Sequence, residues 1–419
     1  MNTNTKKEHV VILGAGFGGL AAALALEKVR KEANINVTII DRNCFHTYHA
    51  LLYEVATAPI DIQPEQVPDL EAGVCIRIKA LSNIFLQKAL HVIQGEVTSI
   101  DKVSRRIRLK DQPDVHYDRL IVALGSVSND FAIPGIQEYG MTLKDLPDAL
   151  QLHVLIDQLL HDAMGGHHRR IVIGGGGVSG VEVAGELAHY LQRLVAQGRV
   201  KPEAVNIHVL EASPTLLPGF LPAVQTAAKN RLEGLGVHLH LGQPITSVSK
   251  DAAQLKDGTM HPYNVFMWCG GIKAHPLVAE LGATNRKGQI EVNAHLELPT
   301  DSRITVIGDI AAVVDWEKHT PLPQTAMNAV SEGKFVADDI VRQLQSRERI
   351  DHFHVVPAVM VIPIGGRWAI STRRESMRTG WMAWVERKWV DWQYFRSILP
   401  FRQAWRVFTA GGMAYLQND

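Results

Sequence analysis

With 419 residues, 46% of them hydrophobic and 21% charged, the chain has the length of two or three domains and a globular balance, which excludes a disordered or collagenous protein. Lys plus Arg (43) equals Asp plus Glu (43), so the molecule as a whole has no electrostatic reason to bind nucleic acid. Its three cysteines, Cys44, Cys75 and Cys269, form neither a CxxC nor a CxxxxC pair; a disulfide framework, a thiol redox centre and a metal site are not expected.

The cysteine usage fits a reducing compartment, and no stretch reaches the roughly 18 consecutive apolar residues of a membrane span. In chain order, His9 to Leu13 is a short apolar run of the kind that forms a buried parallel strand. It feeds Gly14-Ala15-Gly16-Phe17-Gly18-Gly19, a helical stretch from Leu20 to Lys31, and a second apolar strand, Val37 to Ile40, that ends on Asp41. Strand, glycine turn, helix and strand with a terminal acid make up the dinucleotide fingerprint. Gly14 permits the tight turn, Gly16 lets the backbone approach a pyrophosphate, and Gly19 lets the helix pack on the strand. The helix N-terminus presents N–H groups and a positive dipole to the phosphates, and Asp41 can accept the ribose hydroxyls.

The pattern recurs. Arg169 to Ile173 is a strand, Gly175-Gly176-Gly177-Val178-Ser179-Gly180 repeats the spacing, Val181 to Leu194 is helical, and Asn206 to Leu210 ends on Glu211. Two fingerprints imply two dinucleotides, and the usual pairing is a flavin beside a nicotinamide. Between the units, Leu90 to Leu109 reads as a small antiparallel meander and Tyr117 to Gly125 as a strand. Short strands follow around Gly236 to Leu255, at Tyr263 to Gly271 and at Ile304 to Gly308, before a long helix from Thr320 to Gln345.

These residues resemble the two-dinucleotide-binding-domain flavoproteins of the pyridine nucleotide-disulfide oxidoreductase superfamily, and within them the type II NADH:quinone oxidoreductases. The broader likeness rests on GAGFGGL with Asp41, GGGGVSGVE with Glu211, DRLIVALG and VIGDIAA. The narrower one rests on Asp41-Arg42-Asn43 running into His46, on LLYEVAT at 51–57 and on GVSGVEVAGEL at 177–187. It covers about residues 8 to 345; the remainder matches only in character.

The resemblance implies an FAD site at Gly14, Gly16, Phe17, Gly18, Gly19, Asp41 and Arg42, with Val97, Ala123 and Gly125. Gly308 and Asp309 would close over the ribityl chain, and Thr325 and Ala326 would complete the set. It implies an NADH site at Gly175, Gly177, Gly180, Glu211 and Gly271. Glu182, unremarkable as a carboxylate near a helix start, becomes a residue beside nicotinamide and flavin that positions the carboxamide or relays a proton. Tyr53 and Leu51-Leu52 would lie in a loop under the flavin. Two departures stand out. The family's Ala-Gln-x-Ala on the quinone side is Ala326-Met327-Asn328-Ala329 here, and a thioether cannot donate to a quinone carbonyl, which leaves Gln324 or Asn328 for that bond. The Thr-Gly of many relatives is Leu124-Gly125. Cys44 has no partner, and Cys269 reads as core packing.

The tail differs from the rest. Six of the eight tryptophans lie at or beyond Trp368. From Arg373 to Asp419 eight basic residues oppose four acidic ones, 8 − 4 or about +4 in a chain of net zero. On a helical projection Trp381, Trp384, Val385, Trp389, Trp392, Phe395 and Leu399 share a face with Lys388; Pro400 ends that helix, and Trp405, Phe408, Gly412 and Leu416 mark a second stripe. Such aromatic–basic stripes suit a membrane interface, packing on a homodimer partner being the alternative.

The expected fold is therefore α/β: two Rossmann-like dinucleotide-binding domains, the nicotinamide domain inserted into the flavin domain, and a C-terminal amphipathic helical segment. The expected boundaries are 1–145 and 276–347 for the FAD domain, 146–275 for the NADH domain and 348–419 for the tail. The expected function is that of a peripheral flavoenzyme at the cytoplasmic face of the cell membrane, passing a hydride from NADH to FAD and electrons onward to a quinone of the respiratory chain without pumping protons. The rival readings are an FAD and NADH enzyme with a non-quinone acceptor, and a flavin-binding redox sensor.

Overall fold

The computed structural model describes residues 7–58, 74–77, 90–356, 359–373 and 376–415, with side chains as far as Thr409. Arg374, Glu375, Gly412, Leu416 and Asp419 of the tail therefore fall outside the described side chains. In the first unit, β1 (Glu8–Leu13) leads through the glycine turn into α1 (Phe17–Val29) and β2 (Ile35–Asp41). The helix starts three residues before the expected Leu20, because Phe17-Gly18-Gly19 already forms its first turn. After α2 (Leu52–Ala56), β3 (His91–Gln94) and β4 (Arg119–Val122) join the same sheet. The segment expected to form one meander thus divides. Its first strand pairs in parallel with β2, and Val97–Asp101, Arg106–Leu109 and Gln112–His116 form the antiparallel piece.

The second unit begins with α3 (Leu146–Met164), capped by the Asp145 side chain accepting from the Asp148 amide. There follow β5 (Arg169–Gly174), α4 (Val178–Ala196), β6 (Val205–Glu211), α5 (Pro222–Gly234), β7 (His238–Leu241) and β8 (Val265–Trp268). The chain then returns to the first sheet through β9 (Glu297–Leu298) and β10 (Asp301–Val306). Strand order in the first sheet is β9-β10-β4-β1-β2-β3, and in the second β7-β6-β5-β8; every neighbour pair is parallel except the β9 edge. The apolar runs fill the interior as fully buried parallel strands do: Val10, Val11, Ile12 and Leu13 have no exposed surface, nor do Ile171, Val172 and Ile173.

The long helix, α6 (Ala326–Leu344), starts six residues later than Thr320, since Thr320–Pro321 is a short strand and Thr325 caps the helix by accepting from the Asn328 amide at 3.2 Å. It lies against α1 at backbone distance: a Cβ at Gly333 would stand 2.2 Å from the Gly18 carbonyl oxygen. The tail forms β11 (Met360–Pro363), β12 (Ala369–Arg373) and β13 (Ser376–Gly380), an antiparallel sheet, then α7 (Trp381–Ile398) and α8 (Phe401–Tyr415).

Helix α7 divides the expected aromatic face. Phe395 and Leu399 are buried, while Trp381 (67%), Val385 (45%) and Trp389 (58%) are exposed. The buried side is Ala383, Arg387, Asp391, Phe395 and Ile398, so two ionic residues point inward while Trp381 and Trp389 point outward. The single stripe of the projection is thus split between core and surface, because the inward charges have partners waiting in the globular body.

Candidate dinucleotide cleft and buried carboxylate cluster

Both glycine turns repeat one geometry. Gly14 has φ +94° and Gly175 φ +115°, where L side chains are strained. A Cβ on Gly19 would lie 1.9 Å from the Gly14 carbonyl oxygen, and one on Gly180 2.0 Å from that of Gly175, so only glycine lets each helix approach its strand. At Gly16 and Gly177, by contrast, an added Cβ meets nothing within 4 Å. Each middle glycine therefore faces open space in which phosphate can reach the backbone.

The terminal acids behave alike as well. The Ala15 and Asn43 amides donate to the two Asp41 oxygens at 2.6 and 2.7 Å; the Gly176 and Ser213 amides donate to those of Glu211 at 2.5 and 2.6 Å. Each carboxylate is thereby locked across its turn with lone pairs left for ribose hydroxyls. Burial pushes the Asp41 carboxyl above its ordinary range, opposed by those amides.

The first turn opens into a cleft of about 370 Å³. Gly14, Gly16, Phe17, Gly18, Asp41, Arg42, Val97, Ala123, Gly125, Gly308, Asp309, Gln324, Thr325 and Ala326 line it; Gly19 lies behind it, packing helix on strand. Helices α1 and α6 both direct their N-termini at the cleft, which favours an anion. Asp309 sits in a single 3-10 turn and accepts from the Ser126 hydroxyl at 2.5 Å, while Gln324 Nε2 donates to the Asp309 carbonyl at 2.7 Å. Lys144 completes the wall, its ammonium donating to Ser126 Oγ at 2.8 Å and held below its usual range by burial. A lone lysine carries no motif, so sequence reasoning missed it. The open face at Gly16, two helix N-termini and the half-buried Lys144 ammonium fit the pyrophosphate of a dinucleotide.

Met327 is 41% exposed, and Asn328 Nδ2 is spent on the Pro323 carbonyl at 2.8 Å. Of the residues considered for the missing glutamine, Gln324 is the one in the cleft wall.

Glu182, one turn into α4, does not line this cleft. It belongs to a buried cluster assembled from three distant segments. Arg387 Nη1 of α7 lies 3.9 Å from Glu182 Oε1, its Nε donates to Asp391 at 3.0 Å, and its Nη2 donates to the Ala50 carbonyl at 2.6 Å. Tyr48 donates to Asp391 at 2.6 Å, Tyr53 to Glu54 at 2.9 Å, and Lys388 stands 3.6 Å from Glu54. Tyr53 thus packs in helix α2 toward the cluster rather than in a loop at the cleft. Burial raises the Glu182 carboxyl to about 8; Glu54 and Asp391 push the same way, and Arg387 restrains the rise.

A second tie joins the tail to the first turn. His46 Nδ1 sits 2.8 Å from the Ala15 carbonyl, so Nδ1 carries the proton, and the Tyr394 hydroxyl donates to Nε2 at 2.7 Å. Burial lowers the His46 imidazole to about 4, which keeps it neutral.

Residues 8–333 match the family model described as pyridine nucleotide-disulphide oxidoreductase. The chain belongs to that family. A curated type II NADH:quinone oxidoreductase from Staphylococcus aureus is 26% identical over 367 residues, which cover 86% of this chain and 88% of the relative. Among solved structures, NDH2 from Plasmodium falciparum in complex with NADH superposes with a TM-score of 0.82 at 19% identity, covering 97% of each chain. The sulfide:quinone oxidoreductase of Aquifex aeolicus gives 0.75 at 19% identity, covering 96% of this chain and 92% of that one.

The family name includes disulphide chemistry, but the residues for it are absent from this member. Cys44, Cys75 and Cys269 lie far apart in the chain and form no CxxC or CxxxxC pair. Cys269 lies under the second glycine turn, half-buried and packed against the core, where burial pushes its thiol up to about 12. Gly175, Gly177, Gly180 and Glu211 frame the second turn; Gly271, at φ +137°, lies beside the Phe131 ring. Arg387 and Asp391 were hidden from sequence reasoning because they occupy the polar gaps of an aromatic stripe.

Proposed function

We propose that this protein is an FAD-dependent NADH:quinone oxidoreductase working at a membrane surface. The observation that carries the reading is the duplicated turn: two middle glycines facing open space, each beside an acid locked across its turn by two backbone amides. Gly14 to Gly18, Asp41 and Lys144 would hold FAD, with Asp309 on its ribityl chain; Gly175 to Gly180 and Glu211 would hold NADH. Bound there, FAD supplies hydride acceptance and onward electron transfer. The chain aligns the partners and excludes water from them. Glu182, protonated near neutrality, holds a proton that Arg387 and Glu54 bias, and Gln324 offers an amide at the cleft wall.

An apolar cavity of about 280 Å³ supports a lipid-soluble acceptor over a soluble one. It runs between α1, α6 and α7, lined by Ala21, Leu24, Val330 and Ile398, and it shares Phe17 with the dinucleotide cleft. The exposed Trp381, Val385 and Trp389 face, with the exposed Arg396, Arg402 and Arg406 of the same two-helix tail, suits the interface of an anionic bilayer. None of the described helices is long and apolar enough to cross a membrane. In this reading the enzyme docks peripherally on the cytoplasmic face as a monomer or homodimer. It would divide into residues 1–145 and 276–347 around FAD, 146–275 around NADH and 348–419 at the interface.

The purified protein should be yellow, and anaerobic NADH should bleach the flavin band. A colourless protein that takes up no added FAD would contradict the reading.

A further inference from the structure

Away from both turns, the nicotinamide-side domain gathers histidines on one face. His208 of β6 is the Cα partner of His238 on β7, and His240 follows two residues later on the same side of that strand. The face is covered by a small antiparallel sheet of Ile245–Val248, Ala252–Leu255 and Met260–Pro262, whose last strand carries His261. A compact apolar core with Leu210, Ile245 and Phe266 fills the space between the layers. At the edge of the two layers, rings take the place of aliphatic side chains. His208 and His240 stack at 5.3 Å, and His240 meets His261 edge-on at 4.3 Å between centroids.

We propose that His208, His240 and His261 form a binding site for a late first-row divalent transition ion of the zinc class. One ligand nitrogen from each lies within 4.8 Å of the others, and His208 Nδ1 is 3.0 Å from His240 Nε2. Tetrahedral ligation at about 2.0–2.1 Å needs nitrogens about 3.3 Å apart, within reach of modest ring rotations. The independent sign of a ligand is His261, only 7% exposed, whose Nε2 is buried without a hydrogen-bond partner. A buried imidazole nitrogen left unpaired is costly, and a metal would satisfy it. Imidazole-only ligation suits zinc, copper or nickel, and three protein ligands leave a fourth position for water. The charged neighbours of His261 are Arg170, which opposes a cation, and Asp257, which favours one.

The ion would clasp β6, β7 and the covering sheet together. Glu211 lies three residues beyond His208 on β6 and pairs with Leu241 of β7, so the clasp would steady the strand that carries the nucleotide acid. No sequence spacing announces the site, because its ligands come from three strands brought together only by the fold.

The test uses the flavin-loaded full chain without a polyhistidine tag, stripped with EDTA and titrated with Zn2+ alone. About one ion per chain should survive gel filtration and raise the midpoint of thermal unfolding by a few degrees. Co2+ loading should give the visible bands of a tetrahedral site. His240→Ala and His208→Gln should lose the ion while keeping FAD. Replacing His352 and His354, which form a more exposed group with Glu317, should not lose it. In the unmodified protein, zinc should protect His208, His240 and His261 from acylation, as read by peptide mapping. No retained zinc, retention in His240→Ala, or unprotected rings would overturn the proposal. An ion that leaves with His352 and His354 would do the same.

Discussion

Arg387 of helix α7 holds its guanidinium 3.9 Å from the Glu182 carboxylate, joining residues 205 positions apart, 387 − 182. The same side chain binds Asp391 and the Ala50 carbonyl, so a single cation ties together helix α7, the second dinucleotide helix and the segment after the first unit. The tail is thereby part of the buried cluster. Removing it from Arg373 onward would also uncover Tyr48, which packs on Tyr394 and Phe395, so its two roles are better separated by point substitutions.

Glu182 should govern a step near pH 8. Its folded carboxyl titrates at about 8 against an ordinary 4.5. Between those values the folded state holds more protons than the unfolded one, so this group lowers stability as pH rises. Glu182→Gln should remove both that slope and the corresponding step in the pH profile of turnover. Arg387→Met should move the step upward, because the guanidinium lowers it, and should cost about 3–5 kcal/mol for stranding Asp391. An identical pH profile in Glu182→Gln would remove Glu182 from the chemistry.

Gly16→Val should fold but lose flavin. Its Cβ would meet nothing within 4 Å in the protein and would fill the space phosphate needs. Gly19→Ala should instead disturb folding, with a Cβ 1.9 Å from the Gly14 oxygen. Flavin-to-protein ratio and circular dichroism distinguish the two. Stoichiometric FAD in Gly16→Val would show that the first turn binds something else.

Glu211 should favour NADH over NADPH by about tenfold or more in kcat/KM, roughly 1.4 kcal/mol. Its carboxylate suits a free ribose and repels a 2′-phosphate, and Ala212, Ser213 and Pro214 follow with no cation. Glu211→Ala should shrink the preference mainly through NADH. Equal use of both nucleotides by the unmodified enzyme would place the acid away from the ribose.

Trp381→Gln with Trp389→Gln should weaken binding to anionic vesicles without changing flavin content, since both rings are largely exposed. Added salt should weaken what remains. Unchanged vesicle binding with loss of a dimer on gel filtration would assign the face to a second subunit.

The alternation of apolar strands and glycine turns made both dinucleotide units legible, because backbone constraints there leave few alternatives: at Gly19 and Gly180 only a hydrogen fits. The cleft's first wall followed from the same reasoning. The rest was hidden where the sequence is locally bland. Lys144 precedes a helix with no motif around it, and the C-terminal stripe read as one face although the fold buries its charged side. Helical projection ranks residues by hydrophobicity, whereas Arg387 and Asp391 go inside because Tyr48, Ala50 and Glu182 receive them there.

In the proposed function, electrons pass from NADH through this cleft to a lipid-soluble acceptor. Stopped-flow mixing of anaerobically NADH-reduced protein with a short-chain quinone tests it most directly, with Val330→Trp, which would fill the cavity beside Phe17, as the comparison. The flavin band should return within the turnover time in the unmodified protein and much more slowly in the variant, while a soluble one-electron acceptor reoxidises both alike. Reduced flavin that persists in the presence of quinone, or reoxidation indifferent to Val330→Trp, would contradict the account.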